Sequence, residues 1–470
     1  LLLLDNDAGH LVFGIVQNEM FYDPVHARIF EVLKDHIDRG KLACPTTLRT
    51  FLGADEGLAE LGGPDYLVRM MGAATAVAAA PDFARLIRDL YVRRAAIDVG
   101  HGIAERSAQF SFDQAADEII DLAEGKLAQL RADTSSESVL HSYESAVSDA
   151  MNVANLAFQR EGVPEISSGS TRIDDITNGW QRSNLIVLGA RTSMGKTAVA
   201  CSTAVSVAQT GTPDRPGRGV LFASFEMEPF ELGQRFISLQ CAREGMPIPY
   251  RDLAAGKMTE DQFSRSLEVS RDTSSLPIYT VGSNCREFGR LRGAIRQACK
   301  AFERQSAPLS LIIVDYVQLG VAAHLKDHKA QEVAFFAREL KNLAAEYNVP
   351  VLALSQVKRE VDDRKNRRPM LSDLRWAGEI EEAANQVGFI YRQAYYDLQD
   401  AKGEPDETER QALLARADIA KHRMEIVWEK NRGGPIGTSS LWCDLPTNRI
   451  EDEDPSRGPD PRQSDMDDFR

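Results

Sequence analysis

The sequence predicts an α/β domain built on a mostly parallel sheet, preceded by a small all-α domain and a linker helix. Three observations carry that expectation. From residue 171 onward, short runs that are apolar at successive positions alternate with helical stretches, as strands buried on both faces and joined by crossover helices require. Before residue 130, apolar residues recur at intervals of three and four, the helical period. A length of 470 residues also exceeds what one hydrophobic core usually organises.

The elements follow in order. DPVHARIFEVLKDHI opens with Asp23 as N-cap and Pro24 in the first turn, and sets Ile29, Val32, Leu33 and Ile37 on one face. APDFARLIRDLYVRRAAIDVGHGIAERS spaces Phe83, Leu86, Ile87, Leu90 and Tyr91 the same way, with Arg93 and Arg94 on its solvated side. DQAADEIIDLAEGKLAQL repeats the pattern with Ile119, Ile120, Ala123, Leu127 and Leu130. Residues 1–130 therefore read as an all-helical domain and 131–170 as a linker. Within the linker the polar RADTSSES precedes an amphipathic helix at 139–160, whose apolar face has no partner in its own domain and suits a neighbouring subunit. Residues 171–450 carry the strand runs LIVL, GVLFAS, LSLIIVD, VPVLALS, QVGFIY and MEIVWE. The last twenty residues hold eight acids against three arginines and read as a disordered tail at 451–470.

Composition excludes several classes. With 43% apolar and 27% charged residues, the chain is an ordinary globular one. Its longest nearly apolar run, 71–80, falls short of the roughly 20 residues that cross a bilayer. The opening LLLLDNDAGH lacks a basic region and is broken by Asp5 and Asp7, so no secretion signal is expected. Leu rather than Met at position 1 suggests that residues precede it. Six scattered cysteines without zinc spacing point to reduced thiols in a cytoplasm. The net charge of -15 argues against nucleic acid at face value, but the tail supplies five of those charges, and clustering of Lys and Arg decides binding.

The strongest chemical signal is ARTSMGKT, residues 190–197, placed between the LIVL run and a helical stretch. It fits a phosphate loop with Ala190 where Gly is commonest. Gly195 lets the backbone close on phosphate, amides from Ser193 to Thr197 point inward at a helix N-terminus, Lys196 neutralises the β and γ phosphates, and the Thr197 hydroxyl ligates Mg²⁺. Such a loop needs a second carboxylate on an adjacent strand, and LSLIIVDYVQL ends its apolar run at Asp315. Alone, Asp315 would read equally well as a helix cap.

Water activation calls for a further carboxylate, which Glu226 offers just past the GVLFAS strand, although a surface glutamate is the plainer reading of that residue by itself. Gln356 ends a third strand, where it can reach the γ-phosphate or the water. These strand ends converge on the edge where open α/β sheets bind ligands. In WEKNRGGPIG, Lys430 and Arg432 precede a tight turn and could be delivered to a neighbour's phosphoryl-transfer site. The densest basic stretch is 358–369, with six Lys/Arg, including Arg364, Lys365, Arg367 and Arg368, against three acids. Arg375, Trp376 and Gly378 follow it, an arrangement suited to single strands, though most charge runs are simply solvated. His324 and His328 lack a visible third ligand for a metal site.

Together, STRIDDITNGWQRSNLIVLGARTSMGKT, LFASFEM, LIIVDYVQL, VPVLALSQVKRE, RRPMLSDLRWAGEIEEAANQVGFIYR and EKNRGGPIGT resemble the replicative DNA helicases of the DnaB type, RecA-like hexameric motors. FYDPVHARIFEVL and ELGGPDYL resemble the helical domain of that family. The resemblance spans the chain apart from the tail. It implies a ring of six subunits that hydrolyses ATP or another nucleoside triphosphate with Mg²⁺ at subunit interfaces. It further implies translocation on single-stranded DNA in the 5′-to-3′ direction, unwinding at the replication fork, and primase and a helicase loader as partners in a bacterial or phage-infected cell. Carried over by position, Ala190, Arg191, Ser193, Met194, Gly195, Lys196, Thr197 and Ala198 bind nucleotide, and Thr197 and Asp315 hold Mg²⁺. Glu226 is the catalytic base, Gln356 senses the γ-phosphate, Lys430 and Arg432 act in trans, and Arg375, Trp376 and Gly378 meet DNA. Thr192 stands where the family often has Pro, Phe225 where it has Leu and Trp376 where it has an acid. The acid-rich stretch between Tyr391 and Lys421 has no role in this reading. A recombination ATPase that forms filaments, or a nucleotide-regulated scaffold, is the alternative; the helical front end favours the ring over the first, and Glu226, Gln356 and Arg432 together argue against the second.

Overall fold

The computed structural model describes all residues except 54, 74–78, 110–118, 120–121, 124, 128–129, 131–141, 211–216, 322–328, 375–376 and 456–470. The chain forms two compact units, Leu1–Ala150 and Met151–Arg470. The division falls inside the helix Tyr143–Gln159, within the stretch 131–170 read as a linker. The polar linker RADTSSES, most of the helix expected at 113–130, His324, His328, Arg375, Trp376 and most of the tail lie outside the described residues.

In the first unit the helix Pro24–Asp38 starts where its cap dictates: Asp23 accepts the Val25 amide at 2.8 Å, and Pro24 has no N–H to leave unsatisfied. Its Ile29 and Leu33 pack with Leu48, Leu52, Leu58 and Leu67 into a small core. The helix Ala80–Ala108 departs from expectation. It buries only Ala80 and Ala84, while Phe83, Leu86 and Leu90 stay 45%, 51% and 46% exposed. A helix of 29 residues outruns the core available to it. The helix Tyr143–Gln159 has no buried residue at all.

The second unit is a nine-stranded sheet in the order β3-β2-β4-β5-β1-β6-β7-β8-β9. The strands are β1 (Leu185–Ala190), β2 (Gly219–Ser224), β3 (Ile278–Val281), β4 (Leu309–Asp315), β5 (Val351–Gln356), β6 (Gln386–Tyr391), β7 (Arg423–Asn431), β8 (Gly437–Asp444) and β9 (Arg449–Glu451). The strands from β3 through β6 pair in parallel, and β7 to β9 return antiparallel. Separate cores fill the two faces, one around Leu188, Val199 and Trp428 and the other around Val187, Phe336 and Phe389. This explains why β1, β2 and β6 are buried throughout and mostly apolar.

The acid-rich stretch folds into a helical hairpin, Gln393–Gly403 and Glu407–Ile419. The expected tail also begins too early. Glu451 closes β9, and the Asp452 carboxylate accepts the Thr171 amide and hydroxyl at 2.8 and 2.7 Å. The free amides at the start of the helix Thr171–Thr177 need an acceptor, and the last strand delivers it. No described helix is long and apolar enough to cross a membrane.

Candidate active site

β1 ends at the buried Ala190, and the helix Lys196–Ala208 begins six residues on. Between them Ser193 and Gly195 adopt φ of 65° and 99°, turning backbone amides inward as an anion nest. The positive φ favours glycine at 195, and a Cβ there would also press on the movable side-chain ends Leu445 Cδ2 and Met424 Cε, 2.7 and 2.8 Å away. Lys196 Nζ donates to the Ser355 carbonyl at 3.3 Å and lies 5.1 Å from the Tyr316 ring centre. Thr197 Oγ1 donates to Asp315 Oδ2 at 2.8 Å.

Asp315 is 1% exposed, and burial pushes its carboxyl above the ordinary carboxylate range against the pull of Lys196 and Thr197. Burial likewise depresses the Lys196 ammonium, opposed by Asp315 and Glu226. Glu226 itself is exposed, two residues past the end of β2. Gln356 Nε2 donates to Thr192 Oγ1 at 3.3 Å. These groups sit at the C-terminal ends of β2, β4, β5 and β1, which are consecutive in the sheet, around a cavity of about 310 Å³. The Thr197 hydroxyl and Asp315 carboxylate form a hard oxygen pair, and a buried carboxylate is a donor that gains by meeting a cation; both fit Mg²⁺.

Several residues of this cavity escaped the sequence reading. Gln318, buried beside the cavity and within the quoted LIIVDYVQL, holds the end of β5: its Nε2 donates to Ser355 Oγ at 2.7 Å and its Oε1 accepts the Gln356 amide at 3.2 Å. Arg235 and Tyr250 stack at 4.1 Å on the cavity wall, with Arg235 held by Asn448 Oδ1 at 2.8 Å. No local motif marks Arg235 or Tyr250, because they meet only through the tertiary fold. Arg191 leaves the phosphate loop to pair with Asp362 at 2.7 Å, bringing the segment after Gln356 against the loop.

Lys430 and Arg432 are not in this cavity. β7 runs antiparallel, so Asn431 pairs with Gln386 at the start of β6, and the Arg432 amide donates to the Asn385 carbonyl at 3.0 Å. Asn385 in turn bonds Leu185, the first residue of β1. Arg432 therefore stands at the opposite end of β1 from the phosphate loop, about 17 Å away for five residues of strand. Arg432 Nη2 donates to the Glu382 carbonyl at 3.1 Å, and Lys430 donates to the Glu381 carbonyl. Arg432 lines a groove of about 840 Å³ with Lys341, whose ammonium is lowered first by burial and then by Arg432.

The basic stretch is largely committed within the chain. Arg364 pairs with Asp373 at 2.5 Å, Arg367 with Asp400 at 2.7 Å, and Arg368 with Glu425 while lying over the Tyr391 ring. Lys365 is exposed, as is Gly378 near the start of the helix Ala377–Ala383. Three of the six cations of the stretch expected to be open are thus answered by acids, Asp373 from nine residues on and Asp400 and Glu425 from distant segments.

Comparison with known proteins adds the lineage. Residues 165–452 match the model of the DnaB-like helicase C terminal domain, and residues 1–89 that of the DnaB-like helicase N terminal domain. The chain is 29% identical over 449 residues to the replicative DNA helicase DnaB of Rickettsia prowazekii, covering 94% of this chain and 90% of that one. It is 31% identical over 424 residues to the replicative DNA helicase DnaB of Geobacillus stearothermophilus, covering 90% and 86%. A solved DnaB-like replicative helicase, described with its interactions with primase, shares the fold at a TM-score of 0.62 and 23% identity over 95% of this chain and 99% of that one. The chain belongs to the DnaB-like replicative DNA helicases.

Proposed function

We propose that the chain works as an ATP-driven replicative helicase in a hexameric ring, moving 5′-to-3′ on single-stranded DNA, with each hydrolytic site completed by a neighbouring copy. One observation carries this reading. The phosphate loop and Arg432 occupy opposite ends of one sheet, so a chain cannot bring its own arginine to its own phosphates, and a second copy can.

In this reading the triphosphate lies in the loop 190–198, with Lys196 against its β and γ oxygens. Thr197 and Asp315 would hold Mg²⁺, which when bound neutralises phosphate charge. Glu226 accepts a proton from the water that attacks the γ-phosphorus, the bond to the β-γ bridging oxygen breaks, and ADP and phosphate leave. Arg432 of the adjacent copy stabilises the charge of that transition state, and Lys430 supports it. Gln356, held by Gln318 and touching Thr192, carries the loss of the γ-phosphate into the segment after β5. The Arg191–Asp362 pair carries the same motion. In this reading Lys365, Arg375, Trp376 and Gly378 are the DNA contacts, and backbone-directed contacts make the motor indifferent to sequence. The helix Tyr143–Gln159, with Tyr143 86% and Phe158 84% exposed, offers its apolar side chains to the next copy. Primase and a loader are the expected partners.

The test is unwinding of forked duplexes carrying a 5′ or a 3′ single-stranded arm, with ATP and Mg²⁺, beside electron microscopy of the same preparation. Rings that open only the 5′-tailed forks are expected. A monomer that hydrolyses ATP at the full rate would overturn the reading.

A further inference from the structure

The helical hairpin 393–419 is the element that the helicase reading leaves without work. Its Asp400 meets Arg367, whose Nη1 donates to both carboxylate oxygens at 2.7 and 2.8 Å. Tyr396 of the same helix lies under that guanidinium at 5.2 Å, and it stands close enough to the Arg191–Asp362 pair to feel both charges. The hairpin therefore reaches the basic stretch beside the point where that stretch leaves the phosphate loop.

The three arginine pairs of this stretch are unequal. Asp373 and Glu425 are 13% and 9% exposed and each has a second partner, the Met370 amide at 2.8 Å and Arg423 at 3.2 Å, so taking Arg364 or Arg368 away would leave a largely buried carboxylate with one partner fewer inside a packed network. Asp400 is 40% exposed and Arg367 26%, so water can take over the carboxylate at little cost. Of the three, only the Arg367–Asp400 pair is built to exchange. A guanidinium held by two carboxylate oxygens presents the same donors that a phosphodiester would take. An aromatic ring beneath it keeps the guanidinium oriented whether or not the acid is there.

We propose that Asp400 occupies Arg367 in place of a nucleic-acid phosphate, and that single-stranded DNA engages the 358–369 loop by displacing it. The hairpin then acts as a brake: it lowers affinity for the strand without touching it, so that the grip can be released in each cycle. This rests on the reading of the chain as a DNA-translocating motor.

The test measures binding of the full-length protein to fluorescent oligothymidylate with a non-hydrolysable ATP analogue, across a salt series. Asp400→Asn and, as a second neutral variant, Asp400→Ser should bind roughly twofold to fivefold tighter. Their plots of log affinity against log salt should steepen by up to about 0.7, the increment of one full phosphate contact on a single strand, because Arg367 is no longer shared between Asp400 and phosphate. Asp400→Glu should restore wild-type behaviour, and hydrolysis without DNA should not change. Arg367→Ala should bind more weakly with a shallower slope, and Asp400→Asn should have no effect in its background. If Arg367→Ala weakens binding while both neutral Asp400 variants match wild type in affinity and slope, the brake is refuted and the DNA loop stands. If Arg367→Ala has no effect either, Arg367 is not a DNA contact and this proposal falls, while unwinding by the wild type would still support the helicase reading.

Discussion

Arg432→Ala removes a cation that stands at the far end of β1, a strand about 17 Å long, from its own phosphate loop, so on the proposed trans role its effect is expected in the neighbouring copy's site. The side chain donates to the Glu382 carbonyl and lines an open groove, so its loss leaves no buried group stranded and should not unfold the chain. An arginine supplied in trans to a phosphoryl-transfer site accounts for 10³ to 10⁵ in rate, about 4 to 7 kcal/mol of barrier. Steady-state hydrolysis with single-stranded DNA should therefore fall by about that factor, while equilibrium binding of a fluorescent ATP analogue stays near wild type. Mixing sharpens the result. If the sites of a ring fire in turn, one dead interface halts the others, and an equal mixture of wild-type and mutant chains retains about 2% of activity rather than about half. A mutant that hydrolyses ATP within a few-fold of wild type would refute the trans role, and activity falling in proportion to the mutant fraction would refute the coupling.

Gly388→Ala should lower stability by about 1 to 3 kcal/mol in chemical denaturation, because the added Cβ would lie 2.9 Å from Trp428 Cε3 and 3.0 Å from Leu188 Cδ2; an unchanged midpoint would show that the core gives way. Asp174 is pushed above the ordinary carboxylate range, first by burial and further by Asp452, so the folded chain holds that proton more tightly than the unfolded one. Its contribution is fully present below about pH 4 and is lost as pH rises through the raised folded value. The melting temperature of Asp174→Asn should accordingly gain on wild type between acid and neutral pH, and a constant difference would contradict this. Hydrogen bonds from Thr47 lower the Cys44 thiol, whereas burial raises Cys201 to about 12 and Cys443 to about 11. Alkylation near pH 8 followed by peptide mapping should mark Cys44 and spare the other two, and early labelling of Cys201 would mean that the motor core opens.

The sequence by itself determined the parallel strands and what stands at their ends. Lys196, Thr197, Glu226, Asp315 and Gln356 were legible together, because each ends or follows a strand run and the phosphate-loop motif among them gives the other polar ends a shared purpose that none has alone. The Asp23 cap and the helix it starts were legible for an equally local reason. What tertiary structure alone decided depends on contacts between distant segments. The reversal at β7 sends Lys430 and Arg432 to the far end of the sheet, and no local pattern states which end a strand will reach. The 358–369 stretch reads as an open basic patch until Asp400 and Glu425 arrive from the hairpin and from β7, because charge along a chain is visible in sequence and its neutralisation across the fold is not. In the same way Asp452 reads as tail until the first turn of the helix Thr171–Thr177, 281 residues earlier in the chain, supplies the amides it answers.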